Sequence, residues 1–379
     1  MARRELPPDP GPAMNGPILA LLAVVALGVG AFLFGVGQQP VRTWGIYLVN
    51  LLFWSGLAVT GPAIAGIMEL MEARWSPSVK RIAVTTIGFL PFSFVLFVVL
   101  FAGRAVLYPW VTDPIPAKAI WLNVPFMAAR IGLGILIFYW LIWTFAGMVL
   151  REGEGSEAQR EADGRRRRVL ATGALFLFVV MLSLFGFDLV MSLAPQWYSG
   201  LLGGYFTVST LYTGFCLLAI LTVISNWTGV ATVPPAAVQD VAKLVFATSI
   251  LWMYFFWSQY LVIWYGNIPV ETKFVIQRFF NDPWRTLAFV IFTIGWLIPF
   301  SYLLKRLTGR PPVRHAPLIL VTSLALIAIF LERMLLVFPS VGVDRVFPFG
   351  LYEALITAGF FSLFLLSRIW FLARYRPRL

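Results

Sequence analysis

Ten runs of about 20 apolar residues recur along the chain, near 17–37, 44–67, 82–102, 122–149, 169–193, 201–225, 241–265, 284–304, 316–338 and 349–371, and each can cross a hydrocarbon layer roughly 30 Å thick. Inside lipid the backbone has no water to bond, so segments of this length must pair their N–H and C=O groups internally as helices. The expected fold is therefore all-α and polytopic, with about ten transmembrane helices. Composition agrees: the chain is 60% hydrophobic and 12% charged, far more apolar than a soluble domain.

The opening MARRELPPDPGPAMNG (1–16) reads as a short cytoplasmic tail, because the first apolar run is too long for a removable signal peptide and lacks its small-residue cleavage site. The chain then divides into helices one to four (17–150), a charged cytoplasmic loop (151–168, REGEGSEAQREADGRRRR), helices five to ten (169–371) and a basic cytoplasmic tail (372–379). The single cysteine, Cys216, excludes an internal disulfide and any cysteine-ligated cluster.

A formal charge of +12 raises the question of nucleic acid, but its placement answers it. About 18 Lys and Arg fall on one side: Arg3, Arg4, Arg74, Lys80, Arg81, Arg151, Arg160, Arg165 to Arg168, Lys305, Arg306, Arg310, Arg314, Arg374, Arg376 and Arg378. About 6 fall on the other (Arg42, Arg104, Lys118, Lys273, Arg278, Arg345), a strong positive-inside bias. Both termini are expected in the cytoplasm, with lipid and protein as partners and not nucleic acid. Helix seven then runs outward, and Q259-YLVIWYGNIPVET-272 ends it externally, with Trp264 and Tyr265 at headgroup level, Pro269 breaking the helix, and Asn267 and Glu271 beyond. The loops 104–121, 194–200, 266–283 and 339–348 are rich in Pro and aromatics with few charges, which suits docking to another protein.

The sole histidine, His315, lies in a predicted cytoplasmic loop, so bis-histidine haem is excluded and histidine-ligated zinc or copper is disfavoured. No phosphate loop, dinucleotide fingerprint or Ser-His-Asp set is present. No metal or haem is expected on this chain.

Charges inside the apolar runs are costly and therefore informative. Arg130, Asp188, Glu332, Arg333 and Glu353 fall in the outer half of the membrane, and adjacency of helices four with five and nine with ten suggests the pairs Arg130–Asp188 and Arg333–Glu353. Glu332 is left over, about 100° around the helix from Arg333. Near the cytoplasmic face, Glu69 and Glu72 share a helix side at i,i+3 spacing, and Asp240 and Lys243 begin helix seven. Between these groups lie Tyr205, Thr207, Ser209, Thr210, Tyr212 and Thr213 on helix six and Ser249, Tyr254, Ser258, Gln259 and Tyr260 on helix seven, read mainly as helix–helix contacts.

The stretches F187-DLVMSLAPQWYS-199, G203-GYFTVSTLYTG-214 and F256-WSQYLVIWYGNIPVET-272, with W75-SPSVKRIA-83, resemble in order and spacing the NrfD/PsrC-like membrane subunits of the polysulfide reductase family. The nearest likeness is to the ActF-like subunits of bacterial alternative complex III, and it covers most of helices two to nine. It implies two four-helix bundles, helices two to five and six to nine. It also implies a homologous NrfD-like membrane subunit, an iron–sulfur subunit and multihaem cytochrome c subunits as partners, with haem and iron–sulfur clusters on those partners. The function implied is that of a subunit of a quinol:electron-acceptor oxidoreductase, supporting assembly and in one reading moving protons. Where the family commonly has an acidic residue before the Glu-Thr of its motif, this chain has Val270.

Three readings follow. In the first the chain carries no redox cofactor and offers a proton route through Glu69, Glu72 and Lys243 inside and Asp188, Glu332 and Glu353 outside. In the second it binds a quinol, menaquinol or ubiquinol, in its outer half through Arg130, Asp188 and Tyr198. In the third it is a secondary transporter, with TIGFLPFS (86–93) and GWLIPFS (295–301) as broken helices.

Overall fold

The computed structural model describes residues 16–73, 77–307, 313–343 and 346–375. Arg3, Arg4, Arg74, Arg310, Arg345, Arg376 and Arg378 of the charge argument lie outside them, as do Trp75 and Ser76. The described chain is helical without strands, and ten helices are long and apolar enough to cross a membrane. Spans one to ten are Gly16–Gln38, Pro40–Leu70, Pro77–Leu107, Val124–Leu150, Glu157–Leu193, Leu202–Thr228, Pro235–Gly266, Trp284–Lys305, His315–Val341 and Leu351–Tyr375. Each overlaps its predicted run. Successive spans reverse direction, so the described connections sort onto two faces: a basic face at 71–73, 151–156, 229–234 and 313–314, and a far face at 108–123, 194–201, 267–283, 342–343 and 346–350.

Spans two to five pack as one four-helix bundle and six to nine as a second, with two, five, six and nine at the seam between them. Span two is buried along almost its whole length. Lipid is as apolar as a leucine, so helices associate here through close packing and small residues. A Cβ on Gly61 would lie 2.1 Å from the Ala83 carbonyl oxygen of span three. Spans one and ten pair with each other and lean on the first bundle; there a Cβ on Gly28 would stand 2.9 Å from the Gly359 Cα, and one on Gly359 3.1 Å from the Gly28 Cα.

Four of the described spans depart from α geometry, span nine only in a short 3₁₀ end at Phe338–Val341. Span three passes through a 3₁₀ stretch at Thr85–Phe89 and span eight through a π stretch at Thr293–Leu297, each just before a proline (Pro91, Pro299) that lacks a backbone donor. Span five carries a π stretch at Phe185–Val190, with Asp188 in it; such insertions shift side chains out of helical register and concentrate at functional sites.

Three local expectations change. Residues 151–168 are only partly a loop, because Ser156 and Gln159 bond each other's backbone N–H in a capping box and start a helix at Glu157 that carries all four arginines. Pro269 does not end span seven: Asn267 closes it in the left-handed region (φ 46), and Pro269 takes the first turn of a separate connecting helix, Pro269–Phe279. His315 is the first residue of span nine and not part of a loop.

Candidate functional site

The π stretch turns Asp188 toward span four. Its carboxylate is fully buried and receives the Arg130 guanidinium through Nε at 2.6 Å and through a second nitrogen at 2.8 Å, a two-pronged pair, plus the Trp121 indole N–H at 2.9 Å. The expected Arg130–Asp188 pair is therefore present, and the guanidinium also stacks 4.1 Å over the Trp121 ring. Tyr198 is 62% exposed and lines a cavity with Lys118, Trp121 and Trp197, so that Trp121 stands between it and the Arg130–Asp188 pair, neither member of which lines that cavity.

The second expected pair does not form. Arg333 bonds its own neighbour Glu332 at 3.0 Å, and Glu353 bonds Arg42 at 2.8 Å. Span ten packs beside spans one and two and not beside span nine, so Glu353 meets the start of span two. Glu332, expected to be left over, is the centre of the largest buried polar group in the second bundle. One carboxylate oxygen accepts from the Tyr205 hydroxyl and, at 3.1 Å, from the Trp252 indole; the other accepts from Arg333. Arg333 donates further to Ser209 at 2.8 Å and Thr210 at 2.9 Å, and lies 3.9 Å over Phe206. The hydroxyls of Thr207, Ser209, Thr210 and Thr213 donate to carbonyls of their own helix, and span six is tied to its neighbours by Ser209 and Thr210, which accept from Arg333, and by the Tyr212 hydroxyl, which donates to the Gly295 carbonyl of span eight.

At the basic face Glu69 is buried and bonds Lys80 at 2.7 Å and Arg167 at 3.0 Å, while Glu152 bridges the same two cations. Glu72 does not share this cluster: span two stops at Leu70, Glu72 turns to φ 49, and its exposed carboxylate meets Arg168. Lys243 is exposed and pairs with Asp240 at 2.7 Å. About 20 Å of span two separates Glu69 from Gly56, which Thr210 touches, at 1.5 Å per residue. The hydroxyls in that interval, Thr60, Thr85 and Thr86, donate to backbone carbonyls, so protons crossing it need water.

An apolar cavity of about 80 Å³ lies between spans six to nine and the connecting helix, with Phe256, Ile263, Phe279 and Ile291 among its walls. Tyr205, Trp252, Glu332 and Arg278 line it, and the Gln259 side-chain oxygen is buried there with no partner among the described residues. Arg278 is 1% exposed. It donates to the carbonyls of Phe274 and Leu336 and to Ser340, leaves Nε unbonded, and pairs with no carboxylate among the described residues. Burial pulls its pKa down to about 9, so it stays charged at neutral pH. Within the motif at the far end of span seven, Trp264 and Tyr265 are exposed at 63% and 86%, consistent with an interfacial belt, and Glu271 sits in the first turn of the connecting helix, where a carboxylate favours the helix dipole.

Sequence reading passed over Trp121, Trp252 and Arg278, and gave Glu152 and Arg167 no partner. Trp121 and Arg278, outside the spans, look like interface anchors, and Trp252, in the middle of span seven, like plain apolar packing, until their partners are known. Among the described residues no group of three His, Cys, Asp and Glu is placed to hold a metal. No protein-family model matches the chain, and no curated protein does either.

Proposed function

We propose that this multi-pass membrane chain is a subunit of a quinol:electron-acceptor oxidoreductase of the alternative complex III type, in the inner membrane of a bacterium, with its basic face in the cytoplasm. In this role it holds the complex together and conducts protons, while partner subunits carry haem and iron–sulfur clusters. The observation that carries the reading is Glu332, a carboxylate buried in the second bundle whose three hydrogen-bond partners come from spans six, seven and nine. Intramembrane carboxylates of this kind mark proton and substrate routes. The sequence stretches that resemble the family supply two of the three spans: Tyr205 belongs to the span-six stretch, and the span-seven stretch begins one turn beyond Trp252.

In such a role Glu332 exchanges its proton on the far-face side, held in place by its hydrogen bonds to Tyr205, Trp252 and Arg333. The Glu69–Lys80–Glu152–Arg167 cluster gathers charge at the opposite face. Purification from native membranes in mild detergent tests the reading: multihaem cytochrome and iron–sulfur subunits should co-purify, seen by mass spectrometry and haem absorbance. A lone, haem-free protein overturns it and returns a transporter to first place.

A second reading, quinol binding by this chain itself, is favoured by the cavity at Glu332. Gln259 offers an unused acceptor and Arg278 an unused donor to a ring bearing two oxygens. At about 80 Å³ the cavity holds a few waters, so a quinone ring enters only if Phe256 and Tyr260, both partly exposed, swing aside. Loss of bound quinone from the purified complex on Gln259→Leu would favour this reading; full retention would count against it.

A further inference from the structure

A second cavity, of about 410 Å³ and unlike the first in being mostly polar, opens at the basic face under the start of span five. Its floor is built from Trp143 and Thr144 near the end of span four and Phe371 and Tyr375 near the end of span ten; Trp143 is exposed on the side of span four, and Phe371 is buried. Its rim is cationic. Arg151, Arg160 and Arg166 line it, all exposed, and none makes an ion pair or side-chain hydrogen bond among the described residues. Arg167 also lines it but is held by Glu69 and Glu152. Asp163 and Glu154 complete the rim, so the formal balance of the lining side chains is two positive charges.

We infer that this cavity seats the headgroup of an anionic phospholipid of the leaflet on the basic face, with the phosphate among Arg151, Arg160 and Arg166 and the acyl chains running down span four beside Trp143 and Trp140. Three features select this occupant. Unpaired guanidinium groups give phosphate oxygens paired N–H donors. Span four, which forms one wall, carries exposed aromatics at and beside the cavity, Trp143 at 36% and Trp140 one turn away at 66% exposure, so a ligand with its head in the cavity has its tail along that span in the bilayer. Arginines serving only as solvated topology signals have no need of a concavity, whereas basic pockets between spans at this depth suit acidic headgroups. The site joins spans four, five and ten, and so clamps the outlying tenth span to the first bundle.

The test uses the full chain in detergent. Its melting temperature is followed as phosphatidylglycerol, cardiolipin, phosphatidylcholine or inorganic phosphate is added, together with native mass spectrometry of retained lipid. Stabilisation by the two anionic lipids and not by phosphatidylcholine is expected. The triple variant R151Q/R160Q/R166Q should lose on the order of 100-fold in apparent lipid affinity while melting normally without lipid. Arg165→Gln, a neighbouring charge outside the cavity lining, should change it only a few-fold. Equal stabilisation by phosphatidylcholine, stabilisation by inorganic phosphate alone, or a triple variant that binds anionic lipid like the parent each overturns the inference.

Discussion

The Trp252 indole donates to the Glu332 carboxylate across 3.1 Å, linking span seven to span nine in the interior of the second bundle. A Trp at this depth is more than an interfacial anchor. It holds in place a carboxylate that also takes the Tyr205 hydroxyl and the Arg333 guanidinium, and the consequences of that arrangement are measurable.

Replacing Glu332 by Leu leaves Arg333 charged, 1% exposed and without its carboxylate, and removal of one partner from a buried pair costs about 3–5 kcal/mol. Glu332→Gln keeps the acceptor oxygen and should cost distinctly less. Thermal melts in detergent give the ranking. In the assembled complex, both substitutions should abolish proton release coupled to quinol oxidation; a Gln variant with unchanged proton release sinks the proton role.

Arg130 and Asp188 form a closed unit, so Arg130→Met or Asp188→Asn alone should destabilise by several kcal/mol, since each strands a buried partner. The double variant should be less destabilised than the sum of the two. A double-mutant cycle with an interaction energy of about 1 kcal/mol or more is expected; additivity would mean that the two groups do not depend on each other.

Gly28 and Gly359 allow spans one and ten to touch backbone to backbone. Gly359→Val should force them apart at a cost of about 1–3 kcal/mol, with little effect on either bundle. A cysteine pair engineered at nearby positions on the two spans, on a Cys216→Ala background, should crosslink readily in the parent and poorly in Gly359→Val.

Gln259 has a buried side-chain oxygen without a partner. An unmet acceptor costs about 1–3 kcal/mol, so Gln259→Leu should raise the melting temperature of the isolated chain. If bound quinone falls at the same time, stability and ligand binding compete for this residue; unchanged or lowered stability would mean that water or a ligand already satisfies it.

What the sequence determined alone was the number of spans, their lengths and the all-α class, because apolar length against bilayer thickness is a property of each segment by itself. The Arg130–Asp188 pair was legible for the same kind of reason, since spans four and five are neighbours in the chain and pack together. The capping box at Ser156 and the left-handed Asn267 were also local signals, weaker than the charge run and the proline beside them. Only the tertiary structure decided the rest. Sequence adjacency suggested Arg333 with Glu353, but span ten folds back onto span one, where Gly28 and Gly359 let the backbones meet, and so delivers Glu353 to Arg42. Glu332 is claimed instead by Tyr205 and Trp252 from spans six and seven. Pairings between distant segments depend on how helix surfaces fit, on which glycine faces which, and that information is shared between two stretches of chain and contained in neither.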